Sequence, residues 1–118
     1  HLSIRRQRQM CIRDSLSKGH TLVVPKREVD RLFDLPVKEF ETLWSFAQVV
    51  AKAIEGKIAC NRVGVAVLGF EVTHAHVHLV PLRTEGDLNF ALPKLQLSEE
   101  EMQDIAQSIA NEYVRLKS

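Results

Sequence analysis

The chain has 118 residues, 45% of them hydrophobic and 26% charged, with a formal net charge of +1 at pH 7. That size and balance fit one small globular domain with a single core, and exclude a second domain, wholesale disorder and a membrane-spanning helix. The two cysteines, Cys11 and Cys60, form neither a disulfide framework nor a paired zinc spacing, and no charged-then-apolar leader opens the chain, so a cytoplasmic location is expected.

Charge is unevenly spread. Seven of the 16 Lys and Arg residues fall in the first 27 positions against one acid, Asp14. An Arg-rich arm is one signature of nucleic-acid affinity, but this one is short, lacks interleaved aromatics and precedes an acidic remainder. Nucleic acid is therefore not expected as the main partner, nor is a membrane. Residues 1–13 show neither helical nor strand periodicity and begin without Met. Residues 1–16 are accordingly read as an atypical or non-native N-terminal segment, and residues 17–118 as the domain.

From Ser17 the elements follow in order. Ser17-Lys18-Gly19 is turn chemistry, and His20 to Pro25 is a β-branched strand stopped by proline. Val29 to Leu35 reads as a short helical turn. The clearest helix runs from Val37 to Glu55, with Phe40, Leu43, Trp44, Ala47, Val50, Ala51 and Ile54 at i, i+3, i+4, i+7 spacing, Pro36 at its entry and Gly56 at its exit. Phe40, Trp44 and Phe46 resemble a base-stacking platform, but their spacing is that of an ordinary core stripe, and a core face is expected. Val63 to Phe70 alternates as a strand, with glycines where a neighbour could approach closely. His74 to Pro81 is its expected antiparallel neighbour. After a polar loop at Arg83–Asn89, Ser98 and Glu101 form a capping box opening a last helix through Leu116, with a stripe of Met102, Ile105, Ala106, Ile109, Ala110, Tyr113 and Leu116. The pattern predicts an α+β fold: an antiparallel sheet with a long helix and a C-terminal helix packed on it. Three strands alone make a weak sheet, so either further strands precede Ser17 or a partner subunit completes it.

The chemistry concentrates in His74-Ala75-His76-Val77-His78-Leu79-Val80-Pro81. At strand period, His74, His76 and His78 share one face, while Ala75, Val77 and Leu79 supply an apolar back. These three and His20 account for four of the five histidines, a concentration that unrelated surface histidines do not explain. Zinc is one candidate ligand. All three on one ion would be strained, because the outer two Cα atoms lie about 13 Å apart at strand rise. Leu79 also stands where the Asp of a dinuclear His-x-His-x-Asp-His run would be. A zinc site from two of these histidines plus His20 stays open. The other candidate is phosphorus chemistry: a neutral imidazole is a competent nucleophile near pH 7, and its neighbours can bind phosphate oxygens as charge builds.

The stretch His74 to Val80 resembles the His-φ-His-φ-His-φ-φ signature (φ, apolar) of the histidine triad family of nucleotide-binding proteins, hydrolases and transferases. Gly19-His20-Thr21-Leu22-Val23-Val24-Pro25-Lys26 resembles that family's second landmark, a Gly-His strand ending in Pro-Lys. The likeness covers about Ser17 to Leu116. It implies a homodimer built through the long helix and sheet, and cleavage of purine nucleoside phosphoramidates or dinucleoside polyphosphates. By position, His76 would attack the α-phosphorus to form a nucleotidyl-histidine, His78 would contact the phosphate, and His74 and His20 would orient the nucleophile and polarise the site. The scheme implies no metal and no cofactor. Departures are also plain. A ribose-binding Asp would fall near Ile12, with Asp14 two positions away, and the Gln and Pro that many members carry before the first His are here Phe70 and Thr73. These changes predict narrowed or reduced activity, and leave a low-activity nucleotide-binding or interaction protein and a His-ligated zinc protein as alternatives.

Overall fold

The computed structural model describes the backbone of residues 2–5, 8–12, 16–69 and 74–118, and the side chains of the last two stretches. The elements are β1 (Leu2–Arg5), β2 (Arg8–Ile12), β3 (Thr21–Pro25), α1 (Val37–Lys57), β4 (Arg62–Ala66), β5 (Val77–Leu82) and α2 (Glu99–Lys117), with short 3₁₀ turns at Leu32–Asp34 and Glu85–Asp87. The strands form one antiparallel sheet in the order β1-β2-β3-β5-β4. Helix α1 packs over β3, β5 and β4, α2 over β1 and β2, and the helices pack on each other. The expected α+β layering is what forms.

Two strands precede Ser17, in the segment whose sequence showed no strand periodicity. Their order comes from backbone pairing: β2 runs opposite β3 from Arg8↔Pro25 to Ile12↔Thr21, and β1 folds back on β2. An edge hairpin held by main-chain bonds needs no apolar alternation, which is why side-chain pattern missed it. Asp14, Phe70 and Thr73 lie outside the described residues.

The core sits between sheet and helices. Helix α1 contributes buried Leu43, Phe46, Ala47, Val50, Ala53 and Ile54; Phe40, Trp44 and Ala51 are half-buried against them. Phe46 meets Tyr113 of α2 edge-on at 5.4 Å, so the aromatic stripe is the core face that its spacing predicts. Helix α2 opens on the expected capping box, Glu101 N–H donating to Ser98 Oγ at 3.1 Å, and buries Ile105, Ile109 and Tyr113. Leu116 is exposed instead of buried, and Glu112 takes a buried position by pairing with Arg115 at 2.6 Å. Cys60 carries a free thiol. Among the described residues no helix is long and apolar enough to cross a membrane.

Two predicted strands are trimmed. The one expected over Val63–Phe70 stops at Ala66, and the histidine strand begins at Val77, so His74 and His76 precede it. The cause is a main-chain detour: Ala75 N–H donates to Val29 O at 2.7 Å, which takes residues 74–76 out of the ladder. The alternation of burial nevertheless continues through the detour, with Ala75, Val77 and Leu79 buried and His74, His76 and His78 half-buried. Gly64, paired with Val80, is where a neighbour comes close: a Cβ there would stand 2.6 Å from Leu82 Cδ1.

Candidate active site

His20 reaches its place through the turn before β3. Gly19 has φ +94°, a left-handed conformation that glycine adopts at little cost. Thr21 Oγ1 donates to Gly19 O at 2.8 Å, His20 N–H to Ser17 O at 3.1 Å, and Ser17 Oγ to Pro81 O of β5 at 2.8 Å. The turn is thereby tied to the strand that carries His78. Leu22 lies opposite His78 in the ladder, so His20, two residues earlier, falls on the same face in diagonal reach.

The hydrogen bonds then fix which ring nitrogens carry protons. Leu16 N–H donates to His20 Nδ1 at 3.3 Å, so the neutral ring keeps its proton on Nε2. That Nε2–H donates to His78 Nδ1 at 2.9 Å, which in turn leaves the His78 proton on Nε2. His76 runs the other way: its Nδ1–H donates to the main-chain carbonyl of His74 at 2.9 Å, and Nε2 keeps the lone pair. The His76 and His78 rings stand 4.8 Å apart edge-to-face, and those of His20 and His78 5.2 Å apart. The start of β5 thus presents a ring nitrogen with its lone pair free of the main chain, on His76, beside a hydrogen-bond donor, on His78, backed by a histidine that is only 5% exposed.

His20, His76 and His78 come together as a group. The ring of His74 does not join them; its Nε2–H donates to Pro25 O at 2.9 Å, fastening the detour to the end of β3. What His74 offers the site is its carbonyl, bonded to His76.

Two features escaped sequence reasoning. Asp87 accepts from the N–H groups of Arg83 and Thr84 at 2.9 and 3.0 Å, closing the loop after β5. These backbone donors hold its carboxyl below the usual carboxylate range. Beyond that loop Phe90 sets its ring edge-to-face with His78 at 4.7 Å and with His20 at 6.2 Å. A single Phe in a polar loop has no period to betray it; the short Asp87-to-Phe90 spacing after the histidine strand is the one signal available. Among the described residues no group of three or more His, Cys, Asp or Glu side chains is gathered to hold a metal ion.

The described site can be set beside known proteins. The chain is 37% identical over 68 residues to a bis(5'-adenosyl)-triphosphatase of Dictyostelium discoideum, a match covering 53% of this chain and 46% of that protein. It is 32% identical over 82 residues to an asymmetrical bis(5'-nucleosyl)-tetraphosphatase of Schizosaccharomyces pombe, covering 62% and 45%. The matched stretch spans about half the length of these curated relatives. In fold, the chain superimposes on a Zn-bound histidine triad family protein from Mycobacterium smegmatis with a TM-score of 0.76 at 21% identity, over 96% of this chain and 82% of that one. The model of the HIT domain matches residues 9–85, which take in both the Gly19-His20 strand and the histidine run, and on that match the chain belongs to the HIT domain family.

Proposed function

We propose that the protein is a nucleotide hydrolase or transferase that cleaves purine nucleotide conjugates through a nucleotidyl-His76 intermediate. The observation that carries this reading is the opposite hydrogen-bond polarity of two adjacent rings, a lone pair on His76 Nε2 and a proton on His78 Nε2. In the first step His76 Nε2 attacks the α-phosphorus, and the bond from that phosphorus to the leaving phosphate oxygen, or to nitrogen in a phosphoramidate, breaks. His78 Nε2–H hydrogen-bonds a non-bridging oxygen as charge develops there. Water then attacks the phosphorus, releasing the nucleoside monophosphate and restoring His76. His20 holds His78, and the His74 carbonyl holds His76. The names of the two curated relatives support dinucleoside polyphosphates as the substrate class; phosphoramidates are the second class, on the resemblance of the histidine run alone.

We further propose a homodimer working in the cytoplasm. The outer strand β4 has an open edge with Val65 exposed on it, and Val67 and Leu68 exposed just beyond, a surface suited to a second copy. Sedimentation equilibrium at micromolar protein is expected to give twice the chain mass; a monomer across the concentration range would remove the dimer alone.

The mechanism is tested by acid quench with α-phosphorus-labelled diadenosine triphosphate, diadenosine tetraphosphate and adenosine phosphoramidate. Wild-type protein is expected to turn over and to trap label on His76, and His76→Ala to lose at least about 10³-fold in rate. Equal rates in the two proteins would refute the nucleophile. Binding of the nucleotides with neither turnover nor a trapped adduct would select the low-activity nucleotide-binding alternative.

A further inference from the structure

We propose that a cleft beside the turn before β3 is a second anion-binding site, which takes a diphosphate group on Lys18, Lys57 and Arg83. None of the site histidines lines it, so its occupation is independent of what His76 does.

The cleft has a volume of about 430 Å³, and three stretches far apart in the chain enclose it: residues 16–18 of the turn, residues 57–59 at the exit of α1, and the end of β5 with its following loop, from Pro81 to Asp87. Main-chain hydrogen bonds pin these stretches together. Ser17 Oγ donates to Pro81 O at 2.8 Å. Asn61, just past α1, donates from its N–H to Leu82 O and from Nδ2 to Arg83 O, both at 2.8 Å. Asp87 Oδ2 accepts from Arg83 N–H at 2.9 Å. At the floor Gly19, Ile58 and Pro81 pack closely enough that a Cβ on Gly19 would stand 2.8 Å from Ile58 Cγ1 and 3.3 Å from Pro81 Cγ. The walls are therefore set by the fold, and only the cationic side chains on them are free to turn.

Each stretch brings one cation to the cleft, and Lys18, Lys57 and Arg83 form no ion pair among the described residues. The neighbouring carboxylates are engaged. Asp87, the acid in the lining, spends Oδ2 on the N–H groups of Arg83 and Thr84. Glu112, which lies within the field of Lys57, pairs with Arg115 at 2.6 Å. Three like charges around one cleft, with apolar walls at Ile58 and Pro81, focus a positive potential into it and draw an anion there. Cations arriving from three sides match the several charges of a diphosphate better than those of a single phosphate, and the space, enough for on the order of ten waters, admits the longer group. Arg83 supplies a planar fork for two oxygens, and the lysines supply point charges for the others.

The test is isothermal titration calorimetry of the whole chain with inorganic pyrophosphate, and with orthophosphate for comparison. The proteins are wild type, Lys57→Ala, Arg83→Ala, the double variant of these two, Lys57→Arg and His76→Ala. Wild type is expected to bind pyrophosphate at least about tenfold more tightly than orthophosphate, and less tightly as salt is raised. Each alanine is expected to weaken binding about tenfold and the pair about a hundredfold, while Lys57→Arg and His76→Ala stay within about threefold of wild type. Adenosine diphosphate separates the two sources of the group. A site dependent on Lys57 and Arg83 that takes it as tightly as pyrophosphate assigns the cleft to a diphosphate in either form, and one that takes pyrophosphate alone assigns it to the free anion. No saturable binding to wild type, an unchanged affinity in the double variant, or a loss in His76→Ala as large as in the double variant would overturn the assignment.

Discussion

Replacing Gly19 by alanine separates two costs that the structure superimposes at the entry to the site. The backbone there has φ +94°, and a Cβ would stand 2.8 Å from Ile58 Cγ1 and 3.3 Å from Pro81 Cγ. The left-handed conformation costs an L-residue about 1–2 kcal/mol. Forcing a methyl group against Ile58 adds about 1–3 kcal/mol of overpacking. Together Gly19→Ala is expected to lose about 2–5 kcal/mol, a large share of the about 5–15 kcal/mol typical of a domain. Urea unfolding followed by tryptophan fluorescence, using Trp44, measures the loss as a fall in midpoint. A double-mutant cycle with Ile58→Ala then divides it, because that background removes the clash but not the backbone strain. Gly19→Ala should therefore cost about 1–3 kcal/mol less in the Ile58→Ala background than in wild type. A total loss below about 1 kcal/mol, or a cost that is the same in both backgrounds, would refute the account of this turn.

Three further outcomes are expected. His78→Ala should lower kcat by about 10²–10³-fold, the usual cost of deleting one donor to developing charge, and steady-state assay with diadenosine triphosphate reads it. Leu79→Ala, at a site 1% exposed in the middle of β5, should destabilise by about 2–5 kcal/mol in urea without altering the order of the site histidines in nitrogen-15 spectra. The hydrogen bond from Arg115 holds the Glu112 carboxyl below its ordinary range, against an opposing effect of burial. A lowered carboxylate contributes stability that is present above the ordinary carboxylate range and is lost as pH falls through the lowered value. Glu112→Gln should therefore flatten the acid side of the stability profile, and an identical acid slope in the two proteins would dismiss the pair.

Much of the fold could be read from periodicity because burial imposes it. Helix α1 was expected at Val37–Glu55 and runs to Lys57, and the box at Ser98 and Glu101 places the start of α2. The run His74, His76 and His78 drew notice for a related reason: an imidazole at every second position, with buried Ala75, Val77 and Leu79 between, is costly to explain otherwise. What stayed hidden was made by the main chain. Hairpin β1–β2 pairs through backbone bonds, and the detour at Ala75 depends on the carbonyl of Val29, which is distant in the chain and beyond the reach of any local rule. Phe90 was missed because its partners, His78 and His20, are set by tertiary approach and not by spacing.

The fastening of His74 to Pro25 alters how genetics at this site should be interpreted. Pro25 has a carbonyl but no N–H, so the end of β3 can accept but not donate, and an imidazole from another segment fills the role a neighbouring strand would have had. The ring of His74 is thus an architectural tie, and the group it offers to His76 is a carbonyl that every amino acid possesses. A screen that scores only activity would count His74 among the reacting groups, since losing the tie displaces the carbonyl with it. An asparagine at position 74 that restored the bond to Pro25 would keep the carbonyl and spare the activity, and the residue's apparent indispensability would turn out to be one of geometry.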